Sequence, residues 1–359
     1  MLQGQIVKKH SNFYYVKTDG YEKPFECMLR ERLKKEQIEV IVGDYVEIEE
    51  INETSNQAVI SNIGDRTTLI TRPHIANMNQ NVITMSINKP SIQLLQLDRF
   101  IIHTLLAGLE PVICINKCDL KDKKKLLPQI KEIYTPLKID IIEISAKDNI
   151  GLEELKNKLK NKTSVLSGPS GVGKSTIINT LKPELNLKIG LIGKKSQKGI
   201  HTTRHTELIE IDFENNTKAI LADTPGFSYL RFDKYLPEEV EAQFFEFAPY
   251  RKNCYFSDCL HLNEDGCEVK NSLKKINSSR YESYCKFISE AYEYKEKLSS
   301  ISIKDEGLIK TLDGSGKNQI RRLKLGYNLV ESSRKTYKQK LTSIASSENP
   351  EDNYDETLD

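Results

Sequence analysis

The run Gly168-Pro169-Ser170-Gly171-Val172-Gly173-Lys174-Ser175 fits G-x-x-x-x-G-K-[ST], a loop that wraps nucleotide phosphates. Thr163–Leu166 reads as a strand and Ser175–Leu181 as a helix, so the run fills a strand-to-helix turn. There glycines let backbone N–H groups close on phosphate oxygens, and the helix N-terminus adds a favourable dipole. In this reading Lys174 reaches the β- and γ-phosphates, Ser175 places its hydroxyl on Mg²⁺, and Pro169, Ser170, Val172 and Thr176 complete the cradle. The alternative, a chance match in a glycine-rich turn, does not require that strand–loop–helix context.

Asn116-Lys117-Cys118-Asp119 follows the apolar run Pro111–Ile115 and has the form N-K-x-D. Asp119 can accept from guanine N1–H and the exocyclic amine, whereas adenine would face it with an acceptor. Lys117 is expected to pack along the base and prop the phosphate loop, and Asn116 to tie the loops together. Ser145-Ala146-Lys147, after the run Ile139–Ile144, matches the companion loop whose backbone touches the guanine oxygen. Asp223-Thr224-Pro225-Gly226 fits D-x-x-G, with Asp223 holding Mg²⁺ through water and the Gly226 N–H sensing the γ-phosphate. Gly199 to Arg204 reads as the other nucleotide-sensing segment, with Thr203 completing the Mg²⁺ shell. Phe227 stands where many GTPases carry a water-orienting glutamine, so unaided hydrolysis should be slow. His201 is the nearest side chain that could place the water; a solvent-exposed histidine is the equal alternative.

The order of these motifs says more than any one of them. Base-reading loops usually follow the phosphate loop; here they precede it, which is the order of a circularly permuted GTPase domain.

Cys254-x4-Cys259-x-His261-x5-Cys267 brings three thiols and an imidazole into one short stretch with Asp258, Asn263, Asp265 and Gly266 as turn residues. Cys3His is a structural zinc set with no open position for catalysis; free buried thiols are the alternative. Seven cysteines, an odd number, favour a reducing compartment and a metal site over a disulfide framework.

The elements that must position these groups fall into blocks. Residues 1 to about 65 read as short strands at Gln5–Val7, Phe13–Val16, Phe25–Leu29, Val40–Ile51 and Ala58–Ile60, with Gly43-Asp44 as a bulge or bend inside the fourth. Five such strands suggest an oligonucleotide-binding (OB) barrel, with an SH3-like barrel fitting the pattern nearly as well. From 70 to 235 the apolar runs Val82–Ile87, Pro111–Ile115, Ile139–Ile144, Ser164–Leu166 and Ala219–Ala222, with a helical pattern at Asp98–Leu106, predict a mainly parallel sheet covered on both faces. Residues 236–300 read as helical, starting at Pro237-Glu238-Glu239 and including Ser278–Leu298. The stretch 301–359 is basic, through Lys317, Arg321, Arg322, Lys324, Arg334, Lys335, Lys338 and Lys340, then acidic from Glu348, and is expected to be disordered. Its basic part is either a solvated surface or an RNA contact.

At 359 residues the chain has room for two or three domains, and its 38% hydrophobic content suffices for packed cores. No apolar run is long enough to cross a bilayer and Met1–His10 lacks the form of a signal peptide, so a cytoplasmic protein is expected.

The chain resembles the circularly permuted bacterial GTPases called ribosome small-subunit-dependent GTPase A. The resemblance covers about residues 1–300 and rests on the permuted motif order, the barrel before it and the Cys-Cys-His-Cys insert after it. Arg72-Pro73 with Ala76-Asn77, and Leu97-Asp98-Arg99, also look like that family. It implies a multidomain α/β protein: an OB-type barrel, a permuted P-loop GTPase domain and a C-terminal helical zinc domain. It further implies GTP/GDP, Mg²⁺ and one structural Zn²⁺ as ligands, GTP hydrolysis stimulated by the small (30S) ribosomal subunit in its late maturation, contact with rRNA, and a monomer. The competing readings are an RNA-binding translation or stress factor that follows GTP/GDP on mature ribosomes, and an RNA-binding module with a decayed nucleotide site; intact Lys174, Ser175, Thr203 and Asp223 argue against the latter.

Overall fold

A computed structural model describes residues 1–35, 39–71, 74–120, 123–185, 206–214, 217–223, 230–300, 309–312 and 320–323. The chain divides into two units, residues 1–34 with 40–300, and 35–39 with 301–359.

The first unit begins with β1 (Leu2–His10), β2 (Phe13–Thr18), β3 (Phe25–Leu29), the short α1 (Glu31–Lys35), β4 (Tyr45–Asn52) and β5 (Gln57–Ile63). They pair in the order β1-β2-β3-β5-β4 and close through β1–β4, an OB-type barrel. Ile6, Val16, Phe25, Ile48 and Ile60 are fully buried inside it. Val46 and Ile48 point in while Glu47 and Glu49 lie nearer solvent, as alternation requires. The strand expected over 40–51 starts only at Tyr45. Asp44 turns its carboxylate on the Ile41 N–H at 2.9 Å, and Arg66 forks the same carboxylate at 2.7 and 2.9 Å, which breaks the chain at Gly43.

A hairpin of β6 (Leu69–Thr71) and β7 (His74–Ala76), which the apolar pattern does not announce, leads into the core. There β8 (Gln80–Ser86), α2 (Leu94–Leu106), β9 (Glu110–Asn116), α3 (Lys123–Tyr134), β10 (Asp140–Glu143), α4 (Leu152–Leu159), β11 (Thr163–Ser167), α5 (Lys174–Leu181), β12 (Glu207–Phe213) and β13 (Thr217–Asp223) follow. The order is β10-β9-β8-β11-β13-β12, all parallel except β12. Alternate residues feed opposite faces. Val82, Cys114 and Leu166 meet α4 and α5, while Ile83, Ile113 and Ile115 meet α2 and α3. Such strands must be apolar on both faces, which is why they read as continuous runs.

Strand β12 also pairs antiparallel with β1 of the barrel, Lys8 opposite Glu207, so barrel and core share an eleven-stranded sheet. The seam is further closed by Asn77 Nδ2 on Gly43 O at 2.9 Å and Ala76 N on Val42 O at 3.0 Å.

The remainder of the unit is helical: α6 (Pro237–Glu241), α7 (Ala248–Arg251), α8 (Glu268–Asn271) and α9 (Ser278–Ser300). Helix α6 begins at the predicted Pro237, where the Glu239 carboxylate accepts the Leu236 N–H at 2.9 Å. This region packs on α2 through Ile102, Phe232, Phe244, Phe247 and Phe287. A buried polar network joins the same surfaces. Asp98 of α2 accepts from Tyr134 Oη at 2.7 Å, Arg280 Nη1 at 2.7 Å and Ser283 Oγ at 2.6 Å, and Arg280 Nε also donates to Glu246 at 2.7 Å.

In the second unit β14 (Ile309–Leu312) and β15 (Ile320–Leu323) pair antiparallel, a departure from the disorder expected there; the other residues of 301–359 lie outside the described ones.

Candidate active site and metal centre

The phosphate-loop glycines have backbone and spatial reasons to be glycine. Gly168 sits at φ +132° and a Cβ there would come within 2.0 Å of Thr84 O; Gly173 sits at φ +102° with a Cβ 2.4 Å from Asn116 Nδ2. Helix α5 starts at Lys174, so the loop delivers its last N–H groups to a helix N-terminus. The Lys174 ammonium donates to Gly168 O at 2.8 Å and Pro169 O at 2.9 Å. Burial pushes its pKa down to about 8, and only the nearby Asp223 charge opposes that shift. A desolvated cation gains more from an arriving phosphate than a hydrated one would.

Asn116, at the end of β9, is the hub. Its Nδ2 donates to Val172 O at 2.9 Å, and its Oδ1 accepts from Lys117 N at 2.8 Å and Ala146 N at 3.1 Å. One buried amide thus joins the phosphate loop and both base-reading loops. Lys117, in the left-handed region at φ +63°, donates to Gly171 O at 2.8 Å and Lys89 O at 2.5 Å; burial lowers its pKa. The Lys89 carbonyl belongs to a loop braced by Ser86 Oγ on Pro90 O at 2.5 Å, a prop with no counterpart in the motifs. Asp119 is exposed and accepts from Ser145 Oγ at 2.8 Å, which orients its carboxylate. The Ala146 N–H is engaged by Asn116 here, and Lys147 stands exposed beside it.

Ser170, Ser175 and Thr176 are half-buried at the loop and first helical turn, and the buried Asp223 ends β13 opposite Glu207. Ser175 and Asp223 are the described residues that could hold Mg²⁺. His201, Thr203, Gly226 and Phe227 lie outside the described residues.

The second site is compact. His261 Nδ1 lies 3.7 Å from Cys254 Sγ, 3.3 Å from Cys259 Sγ and 3.5 Å from Cys267 Sγ, and the four ligand atoms lie within 4.8 Å of one another. A tetrahedral ion with Zn–S of about 2.3 Å and Zn–N of about 2.0–2.1 Å sets sulfur and nitrogen roughly 3.6 Å apart, so the donor set fits zinc. The far ring nitrogen, Nε2, meets Glu241 Oε1 at 3.0 Å, and Glu241 is held by Arg251 at 2.8 Å. A carboxylate on the outer nitrogen fixes the tautomer that leaves Nδ1 free to ligate. Burial raises the Cys267 thiol and pushes the Cys259 thiol up to about 12, so a cation is what would draw their protons off.

The RsgA GTPase family profile matches residues 63–233, and the RsgA N-terminal domain profile matches residues 3–60. The small ribosomal subunit biogenesis GTPase RsgA of Alkaliphilus metalliredigens (strain QYMF) is 39% identical over 292 residues, 81% of this chain and 98% of the relative. The chain belongs to the RsgA GTPase family. A protein of the same description from Geobacillus sp. (strain WCH70) is 39% identical over 299 residues, 82% of this chain and 99% of the relative. Among solved structures, YjeQ from Thermotoga maritima superposes with a TM-score of 0.69 at 33% identity, covering 81% of this chain and 98% of that one. YloQ, described as a circularly permuted GTPase, gives 0.66 at 31% identity, covering 82% and 96%. The permuted order read from the motifs agrees with that description of YloQ.

Several residues that support these sites, or join the helical region to the core, carry no motif. Glu241 lies in an acidic helix start, and its spacing to His261 signals nothing. Ser86 and Lys89 lie in the loop after β8. Asp98 and Arg99 were visible only as a family-like triplet, and their partners Arg280 and Glu290 are far away in sequence. Among the described residues no helix is long and apolar enough to cross a membrane.

Proposed function

We propose that this chain hydrolyses GTP to GDP and phosphate as a cytoplasmic monomer, is stimulated by the small ribosomal subunit, and serves that subunit's late maturation. The observation that supports the reading is the Asn116 hub, whose hydrogen bonds tie the loop at 168–175 to those at 116–119 and 145–147 despite their permuted order. The names of the relatives, small ribosomal subunit biogenesis GTPases, support the cellular role.

In this reading Asp119 accepts from guanine while Lys117 covers it, and Ser145, Ala146 and Lys147 form the facing loop. Residues Gly168 to Gly173 offer backbone N–H groups to the phosphates, with Thr176 in the next turn. The Lys174 ammonium bridges the β- and γ-phosphates and stabilises charge on the bridging oxygen as that P–O bond breaks. Ser175 and Thr203 directly, and Asp223 through water, would hold Mg²⁺, which would supply further charge neutralisation, and the Gly226 N–H would read the γ-phosphate. His201 places the attacking water, because Phe227 cannot. Cys254, Cys259, His261 and Cys267 would hold one zinc ion, which with four protein ligands would be structural. The division into a barrel to about 65, a permuted GTPase domain over 70–235, a zinc-bearing helical domain over 236–300 and a separate tail follows the same reading. Contact with rRNA phosphates by barrel and helical domain would make binding salt-dependent.

The test is steady-state GTP turnover with and without purified small subunits. A rise on the order of 10³-fold is expected, the scale on which missing transition-state groups act when supplied in trans. Equal turnover with and without subunits would overturn the reading.

A further inference from the structure

The Lys117 ammonium is seated on two main-chain carbonyls, and one of them comes from a loop that no motif names. It donates to Gly171 O of the phosphate loop at 2.8 Å and to Lys89 O at 2.5 Å. Burial lowers its pKa, with the Asp119 charge opposing that shift. A buried cation of this kind depends on the acceptors placed around it.

Lys89 lies in the turn between β8 and α2, and that turn is fastened twice. Ser86, fully buried at the end of β8, is in register with Asn116 of β9, and the next N–H, of Ile87, donates to Asn116 O at 3.1 Å. Four residues on, the Pro90 carbonyl accepts from Ser86 Oγ at 2.5 Å, which closes the turn on its own first residue. The Lys89 carbonyl therefore sits inside a clasp whose base is the strand pair that carries the Asn116 hub.

The clasp preorganises the lysine. A flexible four-carbon stem is costly to order when a ligand arrives. With its ammonium held on two carbonyls, the Lys117 stem is ordered before any base is present. Without the Ser86 hydroxyl the turn loses its closure, and the ammonium keeps one fixed acceptor, Gly171 O.

We propose that Ser86 is a positioning residue for guanine-nucleotide binding: its clasp on Pro90 sets the Lys89 carbonyl that anchors the Lys117 ammonium. The inference rests on the reading of Lys117 as the residue that covers the base, given under Proposed function.

The experiment is a double-mutant cycle on the full-length protein, with affinity for GDP and for a non-hydrolysable GTP analogue measured by calorimetry. Ser86→Ala should weaken both by about five- to tenfold, the scale of ordering one long side chain on binding, and equally, because both carry the same base. Lys117→Met keeps the stem and removes the ammonium. In that background Ser86→Ala should cost less than about twofold, because the carbonyl it sets has no donor left to hold. Titration into the millimolar range keeps the weaker complexes measurable. A Ser86→Ala loss of the same size in both backgrounds overturns the proposal, since it marks a general loosening of the fold, and so does unchanged affinity in Ser86→Ala alone. If Ser86→Ala does not fold, Ser86→Cys, a weaker donor of similar shape, decides by the same cycle. Wild-type protein that binds GDP no better than ADP would instead sink the reading of Asn116 to Asp119 as the base-reading loop.

Discussion

The nucleotide site and the Cys3His centre solve the same problem, converging several donors on one small volume, in opposite ways. The metal centre draws its ligands from residues 254 to 267, a single loop-rich stretch, with Glu241 on the outer nitrogen of His261. The nucleotide site draws on residues near 116, 145, 168–176 and 223, and is united by strand ends of a parallel sheet and one asparagine side chain. A site made from neighbours in sequence depends on its ion to fold. A site made from strand ends is built by the core and survives any rearrangement of the order in which those strands are strung. Permutation is tolerated for that reason: the sheet order, not the chain order, fixes the geometry.

The sharpest way to break this comparison is to remove the metal. Exhaustive chelation, or Cys259→Ser, should unfold the 250–270 region, since structural zinc supplies on the order of 10 kcal/mol of folding free energy in small modules. Guanine-nucleotide binding should persist, because the Asn116 hub contains no element of that region. Proteolysis and zinc analysis read the first effect, and fluorescent GDP titration the second. Loss of GDP binding along with zinc would show that the two sites are not separately built.

The reciprocal change is Asn116→Ala. It leaves Val172 O, Lys117 N and Ala146 N without their partner, at about 1–3 kcal/mol for each buried group left unpaired. GDP affinity should fall by roughly 10²–10³-fold, with zinc content intact, as calorimetry and metal analysis can measure together. Near-normal affinity would mean that the loops hold their places without the hub.

A smaller effect sharpens the metal side. Glu241→Gln keeps the shape but weakens the acceptor on His261 Nε2, and zinc affinity should drop about 10–100-fold, the usual scale for an outer partner of a metal ligand. A competitive chelator titration measures it; nucleotide turnover should not change.

The smallest effect is graded with pH. Lys174 has its pKa lowered from the ordinary lysine value to about 8 by burial, so its charged form costs stability below that pH, and the cost is relieved as pH rises toward the unfolded value. Nucleotide binding runs the other way. Phosphates need the protonated amine, so above about pH 8 binding takes up a proton, and affinity should fall by up to about tenfold per pH unit. The zinc centre has the opposite slope, since its thiols must lose protons to bind. Zinc affinity should weaken as pH falls. A GDP affinity that stays flat from pH 7 to 9.5 would remove Lys174 from the phosphate site.

Much of this was legible in the sequence because it is local. Glycines at 168 and 173 stand at positive φ with no room for a Cβ, the apolar runs mark strands buried on both faces, and the cysteine spacing announces a four-ligand cluster. The bend expected at Gly43-Asp44 is where the chain breaks, with Gly43 at φ +93°; only residues 40–44 of the expected strand are lost, because Asp44 is committed to Ile41 and Arg66, a contact that no alternation pattern records. Strand β12 went unread because polar Glu207, Glu210 and Asp212 interrupt its apolar residues, so no continuous run marks it; it pairs antiparallel with β13 along its length and with β1 at Glu207.

Composition and motif order by themselves determined that a guanine-nucleotide loop set, a small barrel and a Cys3His loop occur in one chain, because each is specified by residue types at short spacing. The tertiary structure alone decided what joins them. The barrel is coupled to the core by a shared strand pair at Lys8 and Glu207, and the helical region by Asp98 with Arg280 and Arg99 with Glu290. Those partners are brought together only when α2 is buried on two sides, and a charge buried between two domains has no periodicity by which a sequence could disclose it.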